Sequence, residues 1–521
     1  MVNSEHRHVD DVSRAALLIA SLFLLSKLLG FIRQATINSA FGVSAEADAW
    51  FAAFRIPDTI FTLFAGGALV SALLPIYTEL KLSDKRMDID RLMSGCFNML
   101  GIVLLALGIL GYLFAEPLTY VLVPGFDAQI QVLTVDATRV LMICPIMLGF
   151  SALAKAVLHA ERRFLIPAIG PCLYNIGIIF GAVVLSGFGI VGLAWGAVIG
   201  AVAHAVITLP SLRSIGLRYR PTVFTEYVGK ALQLMAPRLI GYGAIQISFI
   251  VLNLLASLLG ESSVSALNNA WLLLLLPLGV LAMPIGEANL PALADLYNAG
   301  KFDALQDQFR WACKNVLFMS LPITAVLIVL SLPVVTVLFE RGAFDATASL
   351  STATVLLCFL IGLPGHAAVE VLIRTFFAMQ NTKTPVIVGV VCIGLHIGLS
   401  WVLSIWIGAP GLALGVSIGV LFEAIILWVL LSRLFVKEKA TIEFFRPLQR
   451  AIIASICLGI TAMTLLRISW VEGPSSWGSA IWLVGVALLL TIVFAVILVL
   501  LRAPEIYTVI RIFRSRIERL A

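Results

Sequence analysis

The stretch GIVGLAWGAVIGAVAHAVI, Gly189–Ile207, returns without gaps as GAPGLALGVSIGVLFEAII, Gly408–Ile426. Gly189, Gly192, Gly196 and Gly200 fall on Gly408, Gly411, Gly415 and Gly419, so glycine recurs at the three- and four-residue spacing of one helix face. Close packing in lipid by itself selects small residues on such a face. Two further pieces recur in the same order, however. LLPIYTEL (Leu73–Leu80) resembles NLPALADL (Asn289–Leu296), and Pro167 matches Pro385, all at offsets of 216–219 residues. This pattern predicts a tandem duplication.

The solvent for this duplication is the bilayer. The chain has 521 residues, of which 60% are hydrophobic and only 12% charged. One core cannot hide that much apolar surface, and a soluble fold would expose it to water. Apolar runs long enough to cross a membrane occur about fourteen times: near 14–40, 47–78, 92–115, 135–160, 164–187, 190–212, 229–259, 264–296, 308–339, 348–379, 384–407, 411–435, 447–467 and 479–501. The expected fold is an all-α polytopic membrane protein with two pseudo-symmetric six-helix lobes and two C-terminal helices. Its parts are a cytoplasmic N-terminal tail (1–13), an N-lobe (14–225), a C-lobe (226–436), the last two spans (437–501) and a basic cytoplasmic tail (502–521). An even number of spans per copy gives both lobes one orientation, a transporter plan with the substrate between the repeats.

Loop charge sets the topology. Lys81, Lys85, Arg86 and Arg91; Arg162 and Arg163; Arg213, Arg218, Arg220 and Lys230; Lys301 and Arg310; Lys383; and Arg433, Lys437, Lys439, Arg446 and Arg450 lie in alternate connections. The intervening loops GVSAEAD, SGFGI, GESSV, IGAP and VEGPSSWGS carry no Lys or Arg, and Arg341 is the exception. This is the positive-inside pattern, with both termini in the cytoplasm. The net charge of +6 suits anionic headgroups and does not argue for nucleic acid. Seven cysteines, all single in apolar stretches, carry neither disulfide nor metal spacing. The N-terminus MVNSEHRHVDDVSR lacks a signal-peptide pattern.

Five segments, LGFIRQ (Leu29–Gln34), EADAWFAAFRIP (Glu46–Pro57), FAGGALVSALLPIYTE (Phe64–Glu79), VLFERGAFDATAS (Val337–Ser349) and FFAMQNTKTPV (Phe376–Val386), resemble the MurJ/MviN family of lipid II flippases in the MOP superfamily. The resemblance implies alternating access, with a polyprenyl-diphosphate-linked disaccharide-pentapeptide carried from inner to outer leaflet. It also implies a groove for the polyprenyl tail on the last two spans. The chain departs from the family at several places. Phe61 or Thr62 stands where the second helix carries another arginine, and Gly66 where an acidic residue is usual. Trp271 and Leu272 replace an arginine of the eighth span, and Lys27 stands near a usual arginine.

The site is expected on the first two spans. Ser26, Lys27, Gly30, Arg33, Gln34 and Asn38 form one polar stripe, and Arg33 and Arg55 lie at similar depth, each seven residues from the outer turn. Intramembrane charge is functional by default, and two cations at one level fit a shared aqueous cavity with an anionic visitor. Arginine's planar fork suits a diphosphate, and Lys27 could take the anion next as a point charge. The competing reading is that Glu46 and Asp48 only neutralise the two arginines.

Gln34, Asn38, Asp48 and Arg238 are assigned to the cavity or its gating, and Gly279, Pro284 and Gly286 to a hinge. Glu287, Glu370 and Glu423 are candidates to couple transport to Na⁺, H⁺ or the membrane potential; pairing of Glu370 with Arg374 at i, i+4 is the alternative. Lone His204, His366 and His396 read as hydrogen-bonded core residues. No catalytic residue, cofactor or metal is expected, and the partners are the glycolipid and membrane lipids, with a monomer sufficing. The alternatives are a flippase for another polyprenyl-diphosphate glycan, a MATE-like exporter, or, in a different class, a membrane glycosyltransferase. The last would need carboxylates in large outer loops, and only FDAQIQVLTVD (Phe126–Asp136) offers any.

Overall fold

The computed structural model describes residues 2–434, 441–470 and 477–501, without the side chains of 2–20, 23, 66–68, 70, 71, 236–238, 240, 441–445 and 477. The expected C-terminal tail lies outside the described residues. The described chain is helical, with two compact units: Met1–Ser265 with Gly342–Phe344, and Ala266–Arg341 with Asp345–Ala521.

The first unit holds α1 (Val2–Phe41), α2 (Ala45–Phe61), α3 (Ala68–Leu82), α4 (Arg86–Leu113), α5 (Ala115–Leu122), α6 (Ala128–Leu141), α7 (Ile143–Ala160), α8 (Leu165–Val184), α9 (Gly189–Thr208) and α10 (Glu226–Ser257). The polar N-terminal segment is thus the first turns of α1. Helix α10, placed with the C-lobe by the sequence reading, packs on α3 within this unit. The reason is apolar: Val228, Ala231 and Met235 are buried in one cluster with Leu73, Ile76, Tyr77 and Met93.

The second unit continues with α11 (Ser263–Pro277), α12 (Met283–Asn298), α13 (Phe302–Val329), α14 (Ser331–Phe339), α15 (Ala346–Ile361), α16 (Leu363–Ala378), α17 (Lys383–Ile407), α18 (Ala409–Arg433), α19 (Thr441–Ser469) and α20 (Trp477–Leu500). Among the described residues ten helices are long and apolar enough to cross a membrane, or eleven when α15 and α16, bent by 46°, count as one span. The three other expected spans fall on α1, on α2 with α3, and on α10.

The duplication is visible in backbone detail. A π-helical segment, Thr62–Gly67, joins α2 to α3, and another, Leu278–Ala282, joins α11 to α12. Helices α4 and α13 both run 28 residues and follow a lysine of matching conformation: Lys85 at φ −85°, ψ 63° and Lys301 at φ −87°, ψ 66°. Asp127 and Asp345 cap α6 and α15 by accepting the amides of Ile130 and Ala348. Gly189 and Gly408, before α9 and α18, sit at φ 59°, ψ −146° and φ 66°, ψ −144°, a region open only to glycine.

The glycine stripes seat their neighbours. A Cβ on Gly196 would come within 2.5 Å of the Gly181 Cα, and one on Gly415 within 2.4 Å of the Ser400 nitrogen. The helix pairs α8–α9 and α17–α18 therefore pack backbone to backbone.

The basic end of the first unit is tied by its own arginines. Arg86 donates to the Ile215 carbonyl at 2.7 Å, and Arg163 donates to Ser214. Asp90, Ser94 and Asn98, one turn apart on α4, hold the segment after α9: the amides of Arg218 and Arg220 donate to Asp90 and Ser94, and Asn98 donates to the Thr222 carbonyl. A loop so held satisfies backbone groups that strand pairing would otherwise serve.

Candidate functional site

The hairpin that carries the arginines is set by its turn. Ser44 caps α2, accepting the Ala47 amide at 3.2 Å. Gly42 lies at φ +67°, and a Cβ there would stand 2.4 Å from the Ala343 carbonyl oxygen. The Ala343 amide in turn donates to the Ser39 carbonyl at 2.8 Å, and Phe344 is buried beside it. The GAF of the LFERGAF motif thus clasps the end of α1. Asp48 is fully buried and accepts the Ser265 amide at 2.7 Å, capping the turn at Ser262–Ser265, whose Ser262 hydroxyl donates to the Val43 carbonyl. Its carboxylate is engaged with that turn, and Glu46 is exposed.

Arg33 is half-buried and its Nη1 donates to the Asn175 Oδ1 of α8 at 3.1 Å. The Asn175 Nδ2 donates to the Ser26 carbonyl at 3.2 Å, so one carboxamide grips both the guanidinium and the α1 backbone. The neighbouring Tyr174 acts electrostatically on Arg33, and its hydroxyl is buried. The predicted polar stripe divides here. Arg33 and Gly30 meet Asn175, Gln34 and Asn38 are buried with the Gln34 amide donating to Asn38 at 3.0 Å, and Lys27 is exposed. Successive residues turn by about 100° around a helix, so Gln34 leaves the face that Arg33 occupies.

Arg55 is half-buried, with its guanidinium 5.1 Å from the centre of the Phe249 ring on α10, a cation–π distance. Asp58, one turn further along α2, is the carboxylate whose charge acts on it. The Thr59 hydroxyl beside it donates to the Arg55 carbonyl at 2.8 Å and lies 3.5 Å from the Gln246 carboxamide of α10. The acid near Arg55 is therefore Asp58, and neither Glu46 nor Asp48 neutralises it as expected from their place in the hairpin.

In the second unit Arg374 pairs with two of the three candidate carboxylates. It lies 3.7 Å from Glu287 and is hydrogen-bonded to Glu370 at i, i+4, the local pairing weighed from spacing. Gly286 makes room for it: a Cβ there would be 2.9 Å from the arginine Cδ. Gly279 lies within the π segment with open space around it, and Pro284 is the second residue of α12. Glu423 on α18 is half-buried against Gly389 of α17, and among the described residues no ion pair holds it. The Arg238 side chain lies outside the described residues.

Sequence reasoning missed Asn175, Tyr174, Asp58 and Gln246. Asp58 carried a signal, an acid three residues after an intramembrane arginine. Asn175 carried a weaker one, a carboxamide in a 20-residue apolar helix. Its partner, 142 residues away, could not be read from spacing.

The sequence profile of the family described as "Lipid II flippase MurJ" matches residues 37–488. The "Probable lipid II flippase MurJ" of Buchnera aphidicola subsp. Acyrthosiphon pisum is 30% identical over 407 residues, covering 77% of this chain and 80% of its own. The "Lipid II flippase MurJ" of Burkholderia cenocepacia is 28% identical over 476 residues, covering 88% and 91%. Among solved structures, a lipid II flippase MurJ in an inward closed conformation superimposes with a TM-score of 0.78 at 25% identity, over 92% of this chain and 99% of that one. An inward-facing MATE family transporter of the MOP superfamily reaches a TM-score of 0.66 at 18% identity, covering 80% and 97%, which is a likeness of fold. With most of its length matched by one family profile, and with the duplicated helical fold of that family's solved member, this polytopic membrane protein belongs to the lipid II flippase MurJ family.

Proposed function

We propose that this chain moves lipid II from the inner to the outer leaflet of the plasma membrane by alternating access, with Arg33 and Arg55 receiving the diphosphate. Family membership supports the substrate. The observation that carries the site is that Arg33, in a membrane-spanning helix, is held by a neutral carboxamide. A carboxylate there would satisfy the charge; Asn175 orients the guanidinium and leaves its charge for a visiting anion. Arg55 contributes a second cation, set on the Phe249 ring with Asp58 beside it. Lys27, exposed two turns below Arg33, is the next point of contact on the same helix.

The reaction needs no covalent chemistry. The protein binds, reorients and releases, and an assay for polymerised glycan is expected to give none. The working unit is a monomer in the inner membrane with both termini cytoplasmic, as the alternation of basic loops supports. Helices α19 and α20, with Trp470 just after α19 against Trp482 of α20, are read as the berth of the polyprenyl tail. Coupling to a cation or to the membrane potential is assigned to Glu423, since Arg374 already engages Glu287 and Glu370.

The test is a reconstituted lipid II export assay. Arg33→Ala and Arg55→Ala should each abolish export while the purified proteins keep their thermal unfolding midpoints. Export at the unsubstituted rate by both variants would overturn the assignment. A flippase for another polyprenyl-diphosphate glycan is the second reading, favoured by Phe61 and Leu272 at places where the family resemblance leads one to expect arginine. Tighter binding of a lipid without the pentapeptide than of lipid II would select it.

A further inference from the structure

Asn175 sits on the α8 face that docks on α1, one turn after Cys172, whose thiol approaches the Leu22 carbonyl at 3.9 Å. It is 7% exposed, so its carboxamide does not offer itself to a large ligand. Both ends are committed: the oxygen accepts from Arg33 Nη1 and the nitrogen donates to the Ser26 carbonyl. The amide orientation follows from these partners, since a guanidinium can only donate and a carbonyl can only accept. Arg33 spends one of its five N–H donors on this contact, which anchors one end of the planar fork.

The duplication shows what the fold itself requires. At offsets of 216–219 residues, Arg33 falls within Phe249–Leu252 and Asn175 within Val391–Gly394, stretches without a charge or a carboxamide. The polar pair thus belongs to one copy and not to the shared scaffold, although Pro167, about two turns earlier on α8, is matched by Pro385. A long, rotamer-rich arginine left to itself would lose side-chain entropy on closing round a phosphate, and fixing it beforehand removes part of that cost.

We propose that Asn175 is a positioning residue for anion recognition, its carboxamide holding the Arg33 guanidinium at a set height on α1 so that the remaining N–H groups meet the diphosphate of the lipid. The assignment rests on the reading of Arg33 as an anion ligand, and the experiment separates the two. Binding of a polyprenyl diphosphate without sugar or peptide is measured to the full chain in phosphatidylcholine nanodiscs, for Arg33→Ala, Asn175→Ala, Asn175→Asp, Cys172→Ala and the double variant Arg33→Ala/Asn175→Ala.

Arg33→Ala should weaken binding, and Asn175→Ala should weaken it about tenfold, the scale of one hydrogen bond to a charged group. Asn175→Asp keeps the shape but adds a carboxylate that competes for the guanidinium, so it should weaken binding further. The double variant should bind no worse than Arg33→Ala alone, because the carboxamide acts through that arginine. Cys172→Ala, which alters the same helix contact without touching Arg33, should bind as the unsubstituted protein does. If Arg33→Ala binds normally, the anion-ligand reading itself fails. If Arg33→Ala weakens binding while both Asn175 variants leave it unchanged, or if Cys172→Ala weakens it as much as Asn175→Ala, the positioning role is overturned and Asn175 only packs the helices.

Discussion

Asp48 Oδ1 accepts the Ser265 amide at 2.7 Å across 217 residues of sequence. The carboxylate has no exposure, and its second oxygen has no hydrogen-bond partner among the described residues. A buried acid in this position is retained for what its first oxygen holds, the turn at Ser262–Ser265. Asp48→Ala should leave the Ser265 amide buried and unsatisfied, at a cost of about 1–3 kcal/mol. Asp48→Asn keeps an acceptor and should recover most of that. Thermal unfolding in detergent would check the order, and equal midpoints for Asp48→Ala and the unsubstituted protein would remove the anchoring role.

The glycine face of α9 makes a steeper prediction. Gly196 meets Gly181 and Gly200 meets Tyr174 with backbone atoms 2.5 Å and 2.7 Å from where a Cβ would sit. Backbone cannot step aside as a side chain can, so Gly196→Val should exceed the ~1–3 kcal/mol of ordinary overpacking. Gly243, with open space around it on α10, should accept alanine with little change. The comparison of expression level and unfolding midpoint between these two variants separates a packing requirement from a general dislike of larger residues.

Much of this architecture was legible because lipid imposes simple rules. Glycine spacing in Gly189–Ile207 and Gly408–Ile426 gave the duplication, and the structure repeats it in cap, π segment and backbone angle. The candidate site was legible only as two arginines. Arg33 and Arg55 stand out because charge in lipid is rare, but their surroundings come from α8 and α10, brought in by tertiary packing. Asp48 was weighed as a partner of the arginines because it is near them in sequence. On the helix it turns instead towards Ser265, while the acid one turn after Arg55 is Asp58. The placement of α10 with the second copy followed the period of the repeat, whereas its burial follows the apolar surface of α3 and α4.

At the basic end of the first unit, Glu161 follows α7 and accepts from the Tyr77 hydroxyl at 2.7 Å, with the Lys81 ammonium 2.9 Å away. Burial works to raise its pKa, but the Tyr77 hydrogen bond and Lys81 outweigh it and hold the carboxylate below its usual range. A lowered folded-state pKa adds stability that is complete above the unfolded-state value, about 4.3, and is lost as pH falls through the folded value. Glu161→Gln should therefore lower the unfolding midpoint near neutral pH and flatten its decline below about pH 4.3. Parallel midpoint curves for the two proteins would show that the contact does not contribute.

The carboxylates of the second unit can be told apart by what each leaves behind when neutralised. Arg374 is mostly buried and faces both Glu287 and Glu370, so Glu370→Gln removes the closer partner of a buried cation. Its main effect should be on stability, with Glu287, 73% exposed, too solvated to compensate. Among the described residues Glu423 has no cation to strand, and glutamine fits its place beside Gly389. Glu423→Gln should leave the unfolding midpoint and glycolipid binding near their unsubstituted values. Lipid export in proteoliposomes should then lose its response to an imposed Na⁺, H⁺ or voltage gradient, because a carboxamide cannot exchange a proton or bind a cation as a carboxylate does. If export by Glu423→Gln still follows the gradient while export by Glu287→Gln does not, the coupling role belongs to the Arg374 cluster.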